Sequence, residues 1–325
     1  MKKVKIYRAA LPWALACALF ATLPGARAAD APPAEETISA NASAAKALER
    51  SYSFAADGMI EVGNVRGSVT ITGTNQDRVT LGGSLGAGSK LAIEGSASRL
   101  ELRVESENSG SGWFGNHGPN SDTTLVLNVP HGAAVKLDLV SADSKVSGID
   151  GKSLEIDNVS GKVTLSSSAA SIDVDSVSGD VVLESARAGA IEHAHLQTVS
   201  GNIDAKGIGG RVKLETVSGK IGFASPQVNE FNAESVSGTI EATTAPAKSA
   251  RMHVETMSGS LRLRLPATLS ARIEAETFSG GLHSDFGTVS KAEFGPGSNL
   301  DARVGDGDAR IEAESFSGNI ELRKQ

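Results

Sequence analysis

A Ser-Gly pair preceded by Val, Met or Phe returns eight times in the second half of this 325-residue chain, and so regular a repeat narrows the available folds more than any local propensity. Its glycines are Gly161, Gly179, Gly201, Gly219, Gly238, Gly259, Gly280 and Gly318, separated by 18, 22, 18, 19, 21, 21 and 38 residues, the last being twice 19. Ala142, 19 residues before Gly161, is a degenerate first member. The positions seven and five before each glycine are apolar throughout, from Leu154 and Ile156 to Ile311 and Ala313. Those two and four after it are apolar as well, from Val163 and Leu165 to Ile320 and Leu322, with Ser284 alone departing. Alternation with period two on both sides of a glycine predicts two short strands per repeat, each burying one face, joined at a corner where a positive φ or a close approach between coils excludes a side chain.

A unit of about 20 residues cannot enclose a core, so successive units must stack and share one. The predicted fold is an all-β, single-domain parallel β-solenoid, or β-helix, of about 8–10 coils of 18–22 residues with an irregular N-terminal cap section. Equivalent residues then lie ~4.8 Å apart in files, Val177, Val199 and Val217 among them. A sandwich of hairpins would not hold one residue type in register over so many units.

The boundaries follow from where the repeat lapses. Residues 142–325 form the regular solenoid, although 283–310 skip one Ser-Gly pair. Residues 51–141 form an irregular β section with room for hairpins: Ile60, Val62, Val69 and Ile71 occupy the same columns around Gly67, but the runs up to residue 129 have no corner. Within it, the loop 106–122 is rich in Gly, Ser and Asn. Residues 29–50, with Pro32-Pro33 and several alanines, are expected to be a linker with some helix.

Lys2, Lys3, Lys5 and Arg8, the apolar run from Ala9 to Leu23 and the Ala26-Arg27-Ala28 site together predict a cleaved signal peptide over residues 1–28. The expectation is an exported protein, periplasmic or held in the cell envelope or released outside, with no membrane span in the mature part. Cys17, the only cysteine, lies inside that segment, which removes disulfide and thiol chemistry. Net charge is −7, and since residues 1–28 hold five basic side chains and no acid it becomes −12 without them. That balance disfavours nucleic acid and anionic lipid as partners and leaves cations, neutral glycans and other proteins.

The repeated Thr-Val-Ser-Gly and Ser-Val-Ser-Gly corners, with the closing units Ala309-Arg310-Ile311 and Ser317-Gly318-Asn319-Ile320, resemble the bacterial putative adhesin family over roughly residues 55–325. The resemblance implies a β-solenoid and an envelope location, and it brings no catalytic residues.

Candidate chemistry lies on the columns. A serine precedes every glycine and a hydroxyl or amide, Asn158 to Ser315, stands three before it. A catalytic serine needs a base and an oxyanion site found in one place, so eight equivalents predict hydrogen-bonded ladders at the corners instead. Four before the glycine an outward column reads Asp157, Asp175, Gln197, Glu215, Glu234, Glu255, Glu276 and Glu314. Like charges stacked at the rung spacing repel, and Arg211, Arg251, Arg272 and Arg310, four residues earlier, are expected to offset part of this. The column is then a solvated, salt-bridged face or, as the sharper reading, a stripe that takes Ca2+ at Glu215, Glu234, Glu255 and Glu276. His193 and His195 share a strand face without a third metal ligand. Trp113 and Phe114 form an aromatic pair placed either to contact a partner or to cover an open end. Function is therefore read as non-enzymatic: an adhesin-like binding or scaffolding protein whose partner is a protein or glycan of the envelope, with no cofactor. The alternative, a β-helix polysaccharide lyase or hydrolase, would need side chains that interrupt the columns and aromatic platforms, and aromatics are 4% of residues.

Overall fold

In the computed structural model, which describes residues 30–106, 121–187, 189–291 and 295–325, each repeat is a long strand, a turn at the glycine and a short strand. Long strands pair with long and short with short, in parallel. Ile172 sits between Leu154 and Ala194, Val174 between Ile156 and Leu196, and across the corner Val181 sits between Val163 and Ile203. The columns of the sequence are thus columns in space, and the chain is an all-β solenoid. Its two sheets face one another, with inward residues such as Ile156, Leu214, Val254 and Leu263 fully buried. Phe231 stacks on Phe223 across the interior at 4.5 Å between centroids. The side away from the corner is closed by the buried loop residues Ala169, Ile191, Ile208 and Leu269 and by Val228 at the start of its strand.

At Gly219 the backbone comes so near the coil below that an added Cβ would lie 1.9 Å from the carbonyl oxygen of Gly201. Close approach, not a left-handed backbone, makes this corner glycine necessary; a positive φ occurs at the earlier corners Gly67 and Gly161.

The N-terminal part differs from expectation. Met59–Thr74 turns through Gly67 and is already a full coil, its residues 59–72 in register with 134–147. Each sheet then runs on by one parallel strand followed by two antiparallel ones. The first continues through Arg99–Ser106 and Ser89–Ser96 to Glu35–Ser39, the second through Thr123–Pro130 and Arg78–Leu85 to Lys46–Ser53. The linker expected over 29–50 is therefore corrected: two of its segments are strands that finish the two sheets. Burial of Ile38, Leu48 and Tyr52 on alternate positions explains them, because it covers apolar surface the next strands would leave open.

The C-terminal end departs further. The 38-residue gap between Gly280 and Gly318 does not hide a missing rung. After the strand Ala271–Ser279 the chain reverses into Ser298–Val304, which pairs antiparallel with it, and then returns as Ala309–Ser317. That last long strand lies between Pro246–Ser258 and Ala271–Ser279, parallel to both. The coils therefore stack in the order Gly259, Gly318, Gly280, and the C-terminal coil is interior to the stack.

The expected hydroxyl ladders form only in part. Asn158 Nδ2 donates to the Gly161 carbonyl at 2.8 Å and to Ser176 Oγ at 3.3 Å, and Thr277 Oγ1 donates to the Gly280 carbonyl at 3.2 Å while accepting from the Ser298 amide at 3.1 Å. The buried hydroxyls of Thr198, Ser235, Thr256 and Ser315 have no partner. The corners are tied instead one residue after the glycine. Asp180 and Asn202 side-chain oxygens each accept from the backbone amide of the next coil at 2.9 Å, and Asn319 does the same at 2.8 Å. Removing an unpaired buried hydroxyl relieves a desolvation cost, whereas removing a paired one orphans its partners. Thr256→Val is therefore expected to raise the unfolding free energy by about 0.5–1 kcal/mol and Thr277→Val to lower it by about 1–3 kcal/mol, measured by urea denaturation.

Candidate functional site: the outer face of the long-strand sheet

Period two places the residues six, four and two before each glycine on the outside of the long strands. The last of these columns is apolar and exposed. In spatial order it runs Val65, Val140, Val159, Val177, Val199, Val217, Val236, Met257, Phe316 and Phe278. Of the eleven exposed large apolar side chains among the described residues these are ten, Val126 being the other, so the apolar surface is gathered into one file. At ~4.8 Å per rung it is about 43 Å long. Valine suits an outward strand position, but threonine would serve equally there. Met257 has no such preference, and Phe316 and Phe278, though aromatics suit strands, leave large apolar rings in solvent; the three are 59%, 58% and 56% exposed. The two phenylalanine rings stack on each other at 4.8 Å and 5°, so a partner meets their edges.

Beside this ladder, two residues back on the same face, runs the carboxylate column predicted from the sequence, extended by Asp138. Asp157, Asp175, Gln197, Glu215, Glu234, Glu255, Glu314 and Glu276 are adjacent rung by rung. Burial holds the Asp175 carboxyl above the ordinary aspartate range, helped by the negative charge of Asp173, and burial does the same at Asp138. Burial also pushes Glu215 up, but Lys213 Nζ at 2.8 Å and His195 Nε2 at 2.9 Å prevail and lower it. A groove of about 480 Å³ follows the join of the two columns from Asp138 and Val140 to Gln197 and Val199.

Three of the four arginines do not offset this column as expected. Arg272 and Arg310 pair with Glu274, Glu312 and Asp301 at 2.7–3.1 Å, one outward position nearer to them, and Arg211 donates to His193 Nε2 at 2.9 Å. The physical reason is reach: the side chain two residues along a strand is closer than the one four along. Glu276 and Glu314, beside the phenylalanines, thus form no ion pair with Arg272 or Arg310.

Among the described residues no three carboxylate, histidine or thiol side chains gather as a metal ion would require; of the expected Ca2+ stripe, Glu215, Glu234 and Glu255 lie on adjacent rungs and Glu276 is set apart from them by Glu314. His195 is engaged with Glu215 and, at 3.3 Å, with Asp173. A groove of about 570 Å³ among the glycine-rich loops at 189–193, 207–211 and 225–229 holds Glu192 and His193, but Arg211 occupies the acceptor nitrogen of that histidine. Trp113 and Phe114 lie outside the described residues, as do residues 1–28 with the expected signal peptide and Cys17. No helix among the described residues is long and apolar enough to cross a membrane.

Sequence reasoning identified the carboxylate column and the file of Val177, Val199 and Val217, but missed that this file is exposed. The signal was available: the Val, Met and Phe that mark each repeat fall on the same parity as the carboxylates.

Fold and face together define a repeat protein whose parallel coils display one residue type per column. The chain belongs to the Toastrack DUF4097 family, matched over residues 59–323. No curated protein matches it. Among solved structures it is similar to a putative adhesin from Parabacteroides merdae, at 12% identity over 88% of this chain and 98% of that one with a TM-score of 0.40. It is also similar to a putative adhesin from Bacteroides fragilis, at 12% identity over 85% and 97% with a TM-score of 0.37. A putative cell adhesion protein from Clostridium sporogenes matches at 11% identity over 90% and 100% with a TM-score of 0.24.

Proposed function

We propose that this protein is an exported, non-enzymatic binding scaffold of the cell envelope, and that it engages a protein partner along the exposed apolar ladder. The observation that carries this reading is the confinement, among the described residues, of ten of eleven exposed large apolar side chains to one file on one face. An ordered apolar surface of this extent marks an interaction site on a folded protein. Among the described residues no cluster of acids and bases interrupts the buried columns, which suits a display surface better than a polysaccharide-active site. Export rests on the basic, apolar and Ala-x-Ala pattern of residues 1–28.

A photo-crosslinking residue at Val199, on the ladder, is expected to give protein adducts in the cell that makes the protein. The same residue at Glu184, exposed beyond the short-strand sheet, is expected to give none. Equal labelling from both positions, or none from Val199, would overturn the assignment of the face.

A further inference from the structure

The shape and charge of this face restrict what can lie on it. We propose that the occupant is a cationic amphipathic α-helix of a partner protein, laid lengthwise along the ladder; the inference rests on the ladder being the binding face. The first argument is spacing. Rungs repeat every ~4.8 Å, and a helix presents one face every ~5.4 Å, so its apolar stripe drifts by only about 2 Å over four rungs. A strand lying in the same direction repeats each face at ~6.7 Å and drifts by about 6 Å. A helix can therefore seat successive apolar side chains between rungs where a strand cannot.

The second argument is charge. The carboxylate column runs parallel to the ladder two residues away, about 7 Å along the strand. Glu276 and Glu314 have no basic partner drawn from the arginines beside them, which are spent on Glu274, Glu312 and Asp301. A helix that buries its apolar stripe on the ladder brings the flanking residues of one side over this column, and lysines or arginines there gain attraction in a partly desolvated setting. An anionic membrane surface meets repulsion at the same column. The basic file of a second copy, Arg211, Arg251, Arg310 and Arg272, is largely spent, because Arg211 is held by His193 and Arg310 and Arg272 by Glu274, Glu312 and Asp301.

The third argument is where the face is most adhesive. Side chains widen along the ladder from valine to Met257 and the stacked pair Phe316 and Phe278, and large aromatic anchors concentrate binding energy. The helix is thus expected to hold most tightly at the C-terminal end of the stack.

The test uses the purified protein and three labelled 18-residue peptides. One has leucines at helical spacing flanked by lysines, the second is a scramble of the same composition, and the third carries glutamate in place of lysine. Fluorescence anisotropy is expected to show the first binding at least about ten-fold more tightly than the other two. The triple variant Met257→Ser, Phe278→Ser, Phe316→Ser should weaken it by about ten-fold or more at unchanged Tm, since all three side chains are exposed. Glu255→Gln, Glu276→Gln and Glu314→Gln together should flatten its salt dependence. Equal affinity for the glutamate peptide, or no effect of the triple serine variant, would overturn the proposal. Anionic vesicles or a second copy captured in a manner abolished by the serine variant would overturn the helix as occupant while leaving the ladder as the binding face. Failure of the peptides together with absence of crosslinks at Val199 would remove both.

Discussion

Gly219→Ala is expected to destabilise the solenoid by more than about 3 kcal/mol, seen as a fall in the urea midpoint, although it adds a single methyl group. The added Cβ would stand 1.9 Å from the Gly201 carbonyl oxygen and 2.7 Å from its carbon, both backbone atoms held in parallel ladders on either side. Relief requires the two coils to separate at the corner. The rungs above repeat the contact, with Gly238 placing its own Cβ position 1.9 Å from the Gly219 oxygen, so no neighbouring coil has space to give. Gly189→Ala is the control. That glycine has φ of +73° but nothing within 4 Å of the added atom, and the cost should be the ~1–2 kcal/mol of a left-handed backbone alone. Comparable losses at the two sites would show that backbone conformation, and not the approach of coils, fixes the corners.

Deleting Ala309–Gln325 is expected to lower Tm by about 10 °C and to open residues 266–304 to protease while the earlier coils stay protected. In a solenoid stacked in chain order such a deletion would trim one coil from the end. Here it withdraws the coil between those of Gly259 and Gly280, taking both the ladder on which Ala271–Ser279 rests and the buried Ile311, Ala313, Ile320 and Leu322. The alternative outcome is specific. Residues 271–280 and 309–318 differ only at Thr277 and Ser315, so the former could settle on Pro246–Ser258 in the vacated place. A truncated chain that resists protease through residue 304 would show that exchange and defeat the prediction.

The near identity of those two segments also accounts for the way the sequence misleads at this end. Strand pairing recognises residue type and parity, and Ile273 and Ile311 satisfy the column equally well. A gap of 38 residues therefore looks like two turns of 19, whereas the chain spends it on Ser298–Val304, which covers the outer edge of Ala271–Ser279 and buries Leu300. Residues 29–50 mislead for a different reason. Pro32-Pro33 and the alanines resemble a tether, yet Ile38 and Leu48 each complete a sheet. A strand that caps an edge needs few apolar positions of its own.

The candidate site was partly legible. The carboxylate column could be read residue by residue, because a charge that recurs at a fixed offset from a corner must keep to the solvent side of its strand. The ladder was marked only by its parity with the carboxylates, and a valine near a glycine corner resembles any core valine until its neighbours are placed.

What the amino-acid sequence determined by itself is the two-strand coil, its inward columns and its glycine corner. Period-two alternation in units of about 20 residues has few other ways to hide apolar surface. What only the tertiary structure decided is the order of the last three coils and the exposure of the Val, Met and Phe file. Both depend on which surfaces meet across distant parts of the chain, and a repeating pattern is silent on which of its equivalent members become neighbours and which of its faces stays uncovered.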